Sequence, residues 1–113
     1  MFSQTEREVL CGASAYEKKF YLNPKFECLP QDIKDELKIT CVLFTADVGG
    51  ILTMEYEDDG TLELVTRSKE SDFAYDEIGA HLKIKEMQQK KAELLEGLEL
   101  YYKVAVLKQQ IEE

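Results

Sequence analysis

The chain has no tryptophan, one histidine, two prolines and three cysteines in 113 residues. Each shortage removes a class of chemistry. A single imidazole, His81, cannot build a histidine-based metal site, and it is the only imidazole that could serve a cysteine nucleophile as base. The cysteines, Cys11, Cys28 and Cys41, are odd in number, widely spaced and without a C-x-x-C pair. That pattern argues against a disulfide framework and against a zinc knuckle. They read as reduced thiols packed as small apolar groups. No apolar run approaches the ~18 to 20 residues of a membrane span. Met1 to Glu8 has neither the basic nor the apolar region of a secretory signal. The expected location is therefore the cytoplasm, without membrane association. Basic residues are also short: 14 Lys and Arg face 23 Asp and Glu, a formal charge of −9. Such a surface repels polyphosphate backbones, so nucleic acid is not an expected partner.

What is present suits one domain over 1–113, since 44% apolar and 33% charged residues lie close to globular averages. Divided along the chain, the charge is uneven. Residues 1–46 sum to −1, residues 47–77 to −8 and residues 78–113 to 0. Nearly all of the excess sits in one stretch.

The T-x-x-E form of Thr5-Glu6-Arg7-Glu8 is a capping box, and Val9, Ala13, Tyr16 and Phe20 recur at helical spacing. A first helix over about 5–21 is expected, ended by Asn23-Pro24. Pro30 and Asp32 suit the start of a second helix, whose stripe Ile33, Leu37, Cys41, Phe44 and Val48 stops at Gly49-Gly50. Residues 38–45 are also β-branched and aromatic enough for a buried strand; periodicity and the double-glycine stop favour helix. Two alternating runs, Ile51 to Glu57 and Thr61 to Arg67, flank Asp58-Asp59-Gly60, a hairpin signal that could extend to a three-stranded meander. A three-residue loop with Gly60 left-handed pairs Tyr56 with Leu62, Met54 with Leu64 and Leu52 with Thr66, keeping apolar side chains on one face. Glu55 then lies across from Glu63 on a water-facing side. From about Tyr75 a helical pattern runs almost to the end, with Gly79 and Gly97 as candidate bends. The expected fold is α+β: two N-terminal helices, a hairpin and a long C-terminal helix. An unbroken helix of about 38 residues would span roughly 57 Å, so it must bend near Gly97 or pack on another chain. With the hairpin's open edges, this predicts a homodimer.

Candidate chemistry is sparse. Glu55, Glu57, Asp59 and Gly60 match the start of a calcium-loop spacing, but Thr66 stands where a bidentate glutamate is needed. Gly49-Gly50 lacks a P-loop lysine and a G-x-G-x-x-G spacing. No catalytic, cofactor-binding or metal-ligating residue is assigned, and no cofactor is expected. The expected function is a non-enzymatic protein-interaction module, a homodimer that also binds a second protein through its acidic hairpin, at Glu55, Glu57, Asp58, Asp59 and Glu63, or through an apolar groove beside it. Two alternatives stand beside it: a small metal-dependent enzyme using the clustered carboxylates, and a structural dimer whose acidic hairpin is neutralised by Lys83, Lys85, Lys90 and Lys91.

Cys11-Gly12-Ala13-Ser14-Ala15-Tyr16-Glu17, Ile33-Lys34-Asp35-Glu36-Leu37, Asp47-Val48-Gly49-Gly50-Ile51-Leu52 and Asp59-Gly60-Thr61-Leu62 resemble a family of short, acidic, uncharacterised proteins from Gram-positive bacteria. The resemblance covers nearly the whole chain and implies no activity, cofactor or site residue. A looser similarity in size, acidity and helix–hairpin–helix order links the chain to secretion chaperones, small acidic dimers that hold partner segments.

Overall fold

The computed structural model describes residues 7–108. The described residues open with strands, not helices. β1 (Glu8–Ser14) and β2 (Lys19–Leu22) form a hairpin, followed by a 3₁₀ turn at Pro24–Phe26 and helix α1 (Gln31–Val48). β3 (Ile51–Tyr56) and β4 (Leu62–Arg67) form a second hairpin, followed by α2 (Glu77–Lys90), α3 (Ala92–Tyr101) and a π turn at Tyr102–Val106. The sheet is antiparallel, in the order β2-β1-β3-β4. The α+β class therefore stands, while the expected pair of N-terminal helices and the helix–hairpin–helix order do not. Thr5 of the expected capping box lies outside the described residues, and Glu8 begins β1.

The first hairpin replaces the expected helix because its apolar residues alternate as well as recur at helical spacing. Cys11, Ala13, Phe20 and Leu22 lie on the sheet face that meets the helices. Strand pairing reaches the same burial while β1 bonds its backbone to β2 on one side and β3 on the other. A bulge between Val9 and Cys11 brings fully buried Leu10 to the core as well. Asn23 closes the bulge: its amide donates to the carbonyl of Val9 at 2.8 Å and its backbone N–H to that of Leu10 at 3.0 Å. Gly12 sits at a close approach of β1 to β3, since a Cβ there would stand 2.9 Å from the carbonyl oxygen of Leu52.

The second hairpin has the expected register, with Tyr56 opposite Leu62, Met54 opposite Leu64, Leu52 opposite Thr66 and Glu55 opposite Glu63. Gly60 holds φ at 94° in the three-residue loop, where its N–H donates to the carbonyl of Glu57. Helix α1 also matches, running from the residue after Pro30 to the one before Gly49 and settling residues 38–45 as helix.

The C-terminal helical pattern breaks at Lys91, not at Gly97. Lys91 leaves helical geometry at φ −110° and ψ 26° while its ammonium sits 3.0 Å from Glu36 of α1. The bend turns Leu95, Leu98 and Tyr102 onto the chain's own sheet. Length therefore no longer requires a second copy to cover this helix. Helices α1, α2 and α3 cover one sheet face, because the core takes Cys11, Ala13, Leu52, Met54, Tyr56, Leu62 and Leu64 from the same side. At its centre Tyr56 and Tyr102 stack at 3.9 Å between ring centroids, with Phe26 5.7 and 6.3 Å from them. Of the thiols, Cys11 and Cys41 are buried 3.9 Å apart, whereas Cys28 is exposed, with its sulfur 3.0 Å from the hydroxyl of Tyr101.

Candidate functional site

Alternation along β3 and β4 puts Thr53, Glu55, Glu63, Val65 and Arg67 on the sheet face away from the helices. Glu55 was expected to face water, yet it is only 6% exposed. Two arginines account for this. Arg67 at the end of β4 brings its guanidinium to 3.1 Å from Glu55, and Arg7, preceding β1, reaches it at 3.5 Å. Thr53, two residues away on the same strand face, donates its hydroxyl to the same carboxylate at 2.6 Å and accepts from Arg67 at 3.1 Å. Burial alone would raise the Glu55 pKa, but the hydrogen bond from Thr53 and the two guanidiniums outweigh it and hold the carboxyl below its ordinary value.

Arg7 spans more than one acid. It lies 2.9 Å from Glu63 and 3.7 Å from Glu57. The neighbouring Glu63 carboxyl, and then desolvation, raise the Glu57 pKa. The register that sets like charges opposite one another is thus stabilised by an arginine from outside the hairpin. No local pattern marks Arg7, because residues 5–21 also fit a helical period. In the strand pairing, Glu8 faces Tyr56 and Val9 faces Glu55, which brings Arg7 past the end of β3 beside its acids.

The five candidate residues therefore divide. Glu55, Glu57 and Glu63 are gathered around Arg7 and Arg67, while Asp58 and Asp59 are exposed at the loop tip. The Asp59 carboxylate accepts from the N–H of Thr61 at 2.9 Å, and the hydrogen bonds from Thr61 lower its pKa. Among the described residues, no group of three or more His, Cys, Asp or Glu side chains is placed to hold a metal ion. Lys83 pairs with Asp47 at 3.2 Å and Glu86 at 3.6 Å, Lys90 with Glu86 at 3.4 Å and Lys91 with Glu36 at 3.0 Å. Those partners lie on α1 and α2. They are not on the acidic hairpin.

Beside this network lies the free edge of the sheet. The N–H of Glu57 donates to the carbonyl of Thr61, so alternate residues of β4 direct their backbone groups away from β3. Leu62 shows this directly, donating its N–H to Glu99 of α3 at 2.8 Å. Leu64 and Thr66 have the same phase, and β4 has no strand on that side among the described residues.

Among the described residues no helix is long and apolar enough to cross a membrane. Comparison with curated proteins and with solved structures finds no match to the chain. A family model described as a family of unknown function (DUF6145) matches residues 7–110, from the arginine that organises the acidic face to beyond the last described turn, and the chain belongs to that family.

Proposed function

We propose that the protein is a non-enzymatic protein-interaction module that works as a homodimer, two sheets joining through their β4 edges. The observation that carries this reading is the self-complementary pattern of β4. Antiparallel pairing about Val65 sets Leu64 opposite Thr66 of a second copy, where their outward N–H and C=O groups exchange hydrogen bonds. The same register sets Glu63 opposite Arg67 of that copy, on the face that already holds both charges. Opposite charges in directly facing positions favour this register over a slipped one. The short β2 edge is protected by the exposed Lys19 and by Asn23-Pro24, whereas β4 carries no proline and no lysine. The carboxylates of the outer face serve this reading better than a catalytic one, because Glu55 and Glu63 are held by guanidiniums.

The test is register-specific cross-linking. Residues facing each other at a non-hydrogen-bonded pair lie about 4.5 Å apart at Cα, within disulfide range. In a Cys28→Ser background, Val65→Cys should oxidise to a covalent dimer. Glu63→Cys should do so at least about tenfold more slowly, since its opposite residue is Arg67. Equal rates for the two variants, or a monomer in sedimentation at all accessible concentrations, would reject the edge-joined dimer.

A second protein would dock on the acidic tip, supported by the exposure of Asp58 and Asp59 outside the arginine network. Asp58→Lys combined with Asp59→Lys should remove proteins that co-purify with the native chain while leaving the dimer intact. Unchanged co-purification would reject the tip as the partner surface.

A further inference from the structure

A cleft of about 830 Å³ lies between the turn end of the β1–β2 hairpin and the outer side of α1. Its lining has a charge opposite to that of the chain. Lys18 and Lys19 stand on the hairpin wall and Lys38 on the helix wall, and no acidic residue is among those that line the cleft. A chain with 23 acids and 14 bases rarely leaves such a surface by composition alone. All three lysines are exposed, and none forms an ion pair among the described residues. Elsewhere Lys25, Lys34, Lys83, Lys90 and Lys91 are each paired with a carboxylate.

The floor between the lysines is apolar. Ala13 and Phe20 contribute from the sheet, and Val42 and Ala46 from the helix. Ser14 and Thr45, the two hydroxyl side chains of the lining, bond within the fold: Ser14 accepts from the N–H of Glu17 and Thr45 donates to the carbonyl of Cys41. No arginine lines the cleft, so a planar anion finds no bidentate fork there. The available recognition is non-directional attraction to an anion, combined with burial of apolar surface beside it. A volume of this size falls in the range of small-molecule sites.

We propose that this cleft binds a single-chain anionic amphiphile, its carboxylate held among Lys18, Lys19 and Lys38 and its hydrocarbon chain laid along Phe20, Val42 and Ala46. Both parts of the ligand are required. The ammonium groups attract the head from solvent, and burial of each methylene of the chain adds to the affinity. Because the lysines are exposed, the attraction weakens as salt rises.

Titration calorimetry with the full chain tests the proposal, with decanoate as probe and acetate, decylammonium and tetraglutamate as comparators. Decanoate should bind, and each comparator should bind at least about tenfold more weakly. Lys19→Glu combined with Lys38→Glu should weaken decanoate at least about tenfold. These are exposed positions, so the circular dichroism spectrum should be unchanged. Ala46→Trp, also at an exposed position, should fill the floor and abolish decanoate binding. Acetate or tetraglutamate binding as tightly as decanoate would overturn the apolar half of the proposal. Decylammonium binding as tightly, or a lysine double variant within twofold of the native chain, would overturn the ionic half.

Discussion

At the scale of single residues, the core is organised by tyrosine hydroxyls as much as by apolar surface. Tyr56 stacks on Tyr102 and donates its hydroxyl to the carbonyl of Leu98 at 2.9 Å, tying β3 to α3. Tyr102 donates to the Glu8 carboxylate at 3.0 Å, tying the last described turn to β1. Burial, and then the neighbouring carboxylate of Glu8, push the Tyr102 hydroxyl up to about 12. Burial also raises Tyr56. A phenol whose pKa is raised on folding stabilises the native state fully below the unfolded value near 10, and that contribution is lost as pH rises through the folded value. Stability should therefore fall between pH 10 and pH 12, where a phenolate would form against Glu8. Tyr102→Phe should cost about 1 to 2 kcal/mol at neutral pH through the lost hydrogen bond, yet lose less on going from pH 8 to pH 11.5. Urea unfolding at the two pH values measures both effects. An alkaline loss in Tyr102→Phe as large as in the native chain would show that this phenol is not responsible.

At the scale of elements, the two hairpins differ in how far the sequence reveals them. The β3–β4 turn carries Asp59-Gly60 between alternating runs, so turn chemistry and face pattern agree, and the register follows from placing Tyr56, Met54 and Leu52 on one side. The β1–β2 turn carries neither glycine nor asparagine; Lys18 adopts the left-handed conformation at φ 55°. With that signal missing, Val9, Ala13, Tyr16 and Phe20 satisfy a helical period by coincidence. The break at Lys91 is similarly quiet, because it is stabilised by Glu36, a residue 55 positions earlier. The acidic residues of the candidate surface were legible, but Arg7 was not, since its place depends on the β1–β3 pairing. The lysine cleft joins residues 13–20 to 38–49 and has no local signature at all. Gly12 separates the two readings of the N-terminal segment by sign. In a helix, Gly12→Ala would stabilise by about 1 kcal/mol. In the strand, the new Cβ meets the carbonyl of Leu52 at 2.9 Å and the methyl of Thr53 at 3.0 Å, and β1 must move away from β3. The expected result is destabilisation by about 1 to 3 kcal/mol, read as a shift in the urea midpoint. A stabilised variant would contradict the close approach of these strands.

At the scale of the whole molecule, the −8 of residues 47–77 disperses once the chain folds. Asp47 pairs with Lys83, Asp72 accepts from the Tyr16 hydroxyl, and Asp76 caps α2 with Glu77 in its first turn. Glu55, Glu57 and Glu63 gather around two arginines. The formal charge of −9 remains, and it acts between copies. Two molecules of extent 50 × 34 × 24 Å repel over a screening length of about 30 Å at 10 mM salt, but only about 8 Å at 150 mM. The proposed edge pairing through β4 would be dominated by main-chain hydrogen bonds, with the Glu63 and Arg67 contacts at short range. Screening should therefore weaken the long-range repulsion more than it weakens the contact. Sedimentation equilibrium should show the dimer tightening severalfold from 10 to 150 mM sodium chloride. A dimer held by opposite charges on separate surfaces would loosen instead. Loosening across this range would overturn the β4 edge as the joint and return the lysines and acids of the exterior to consideration as what holds the copies together.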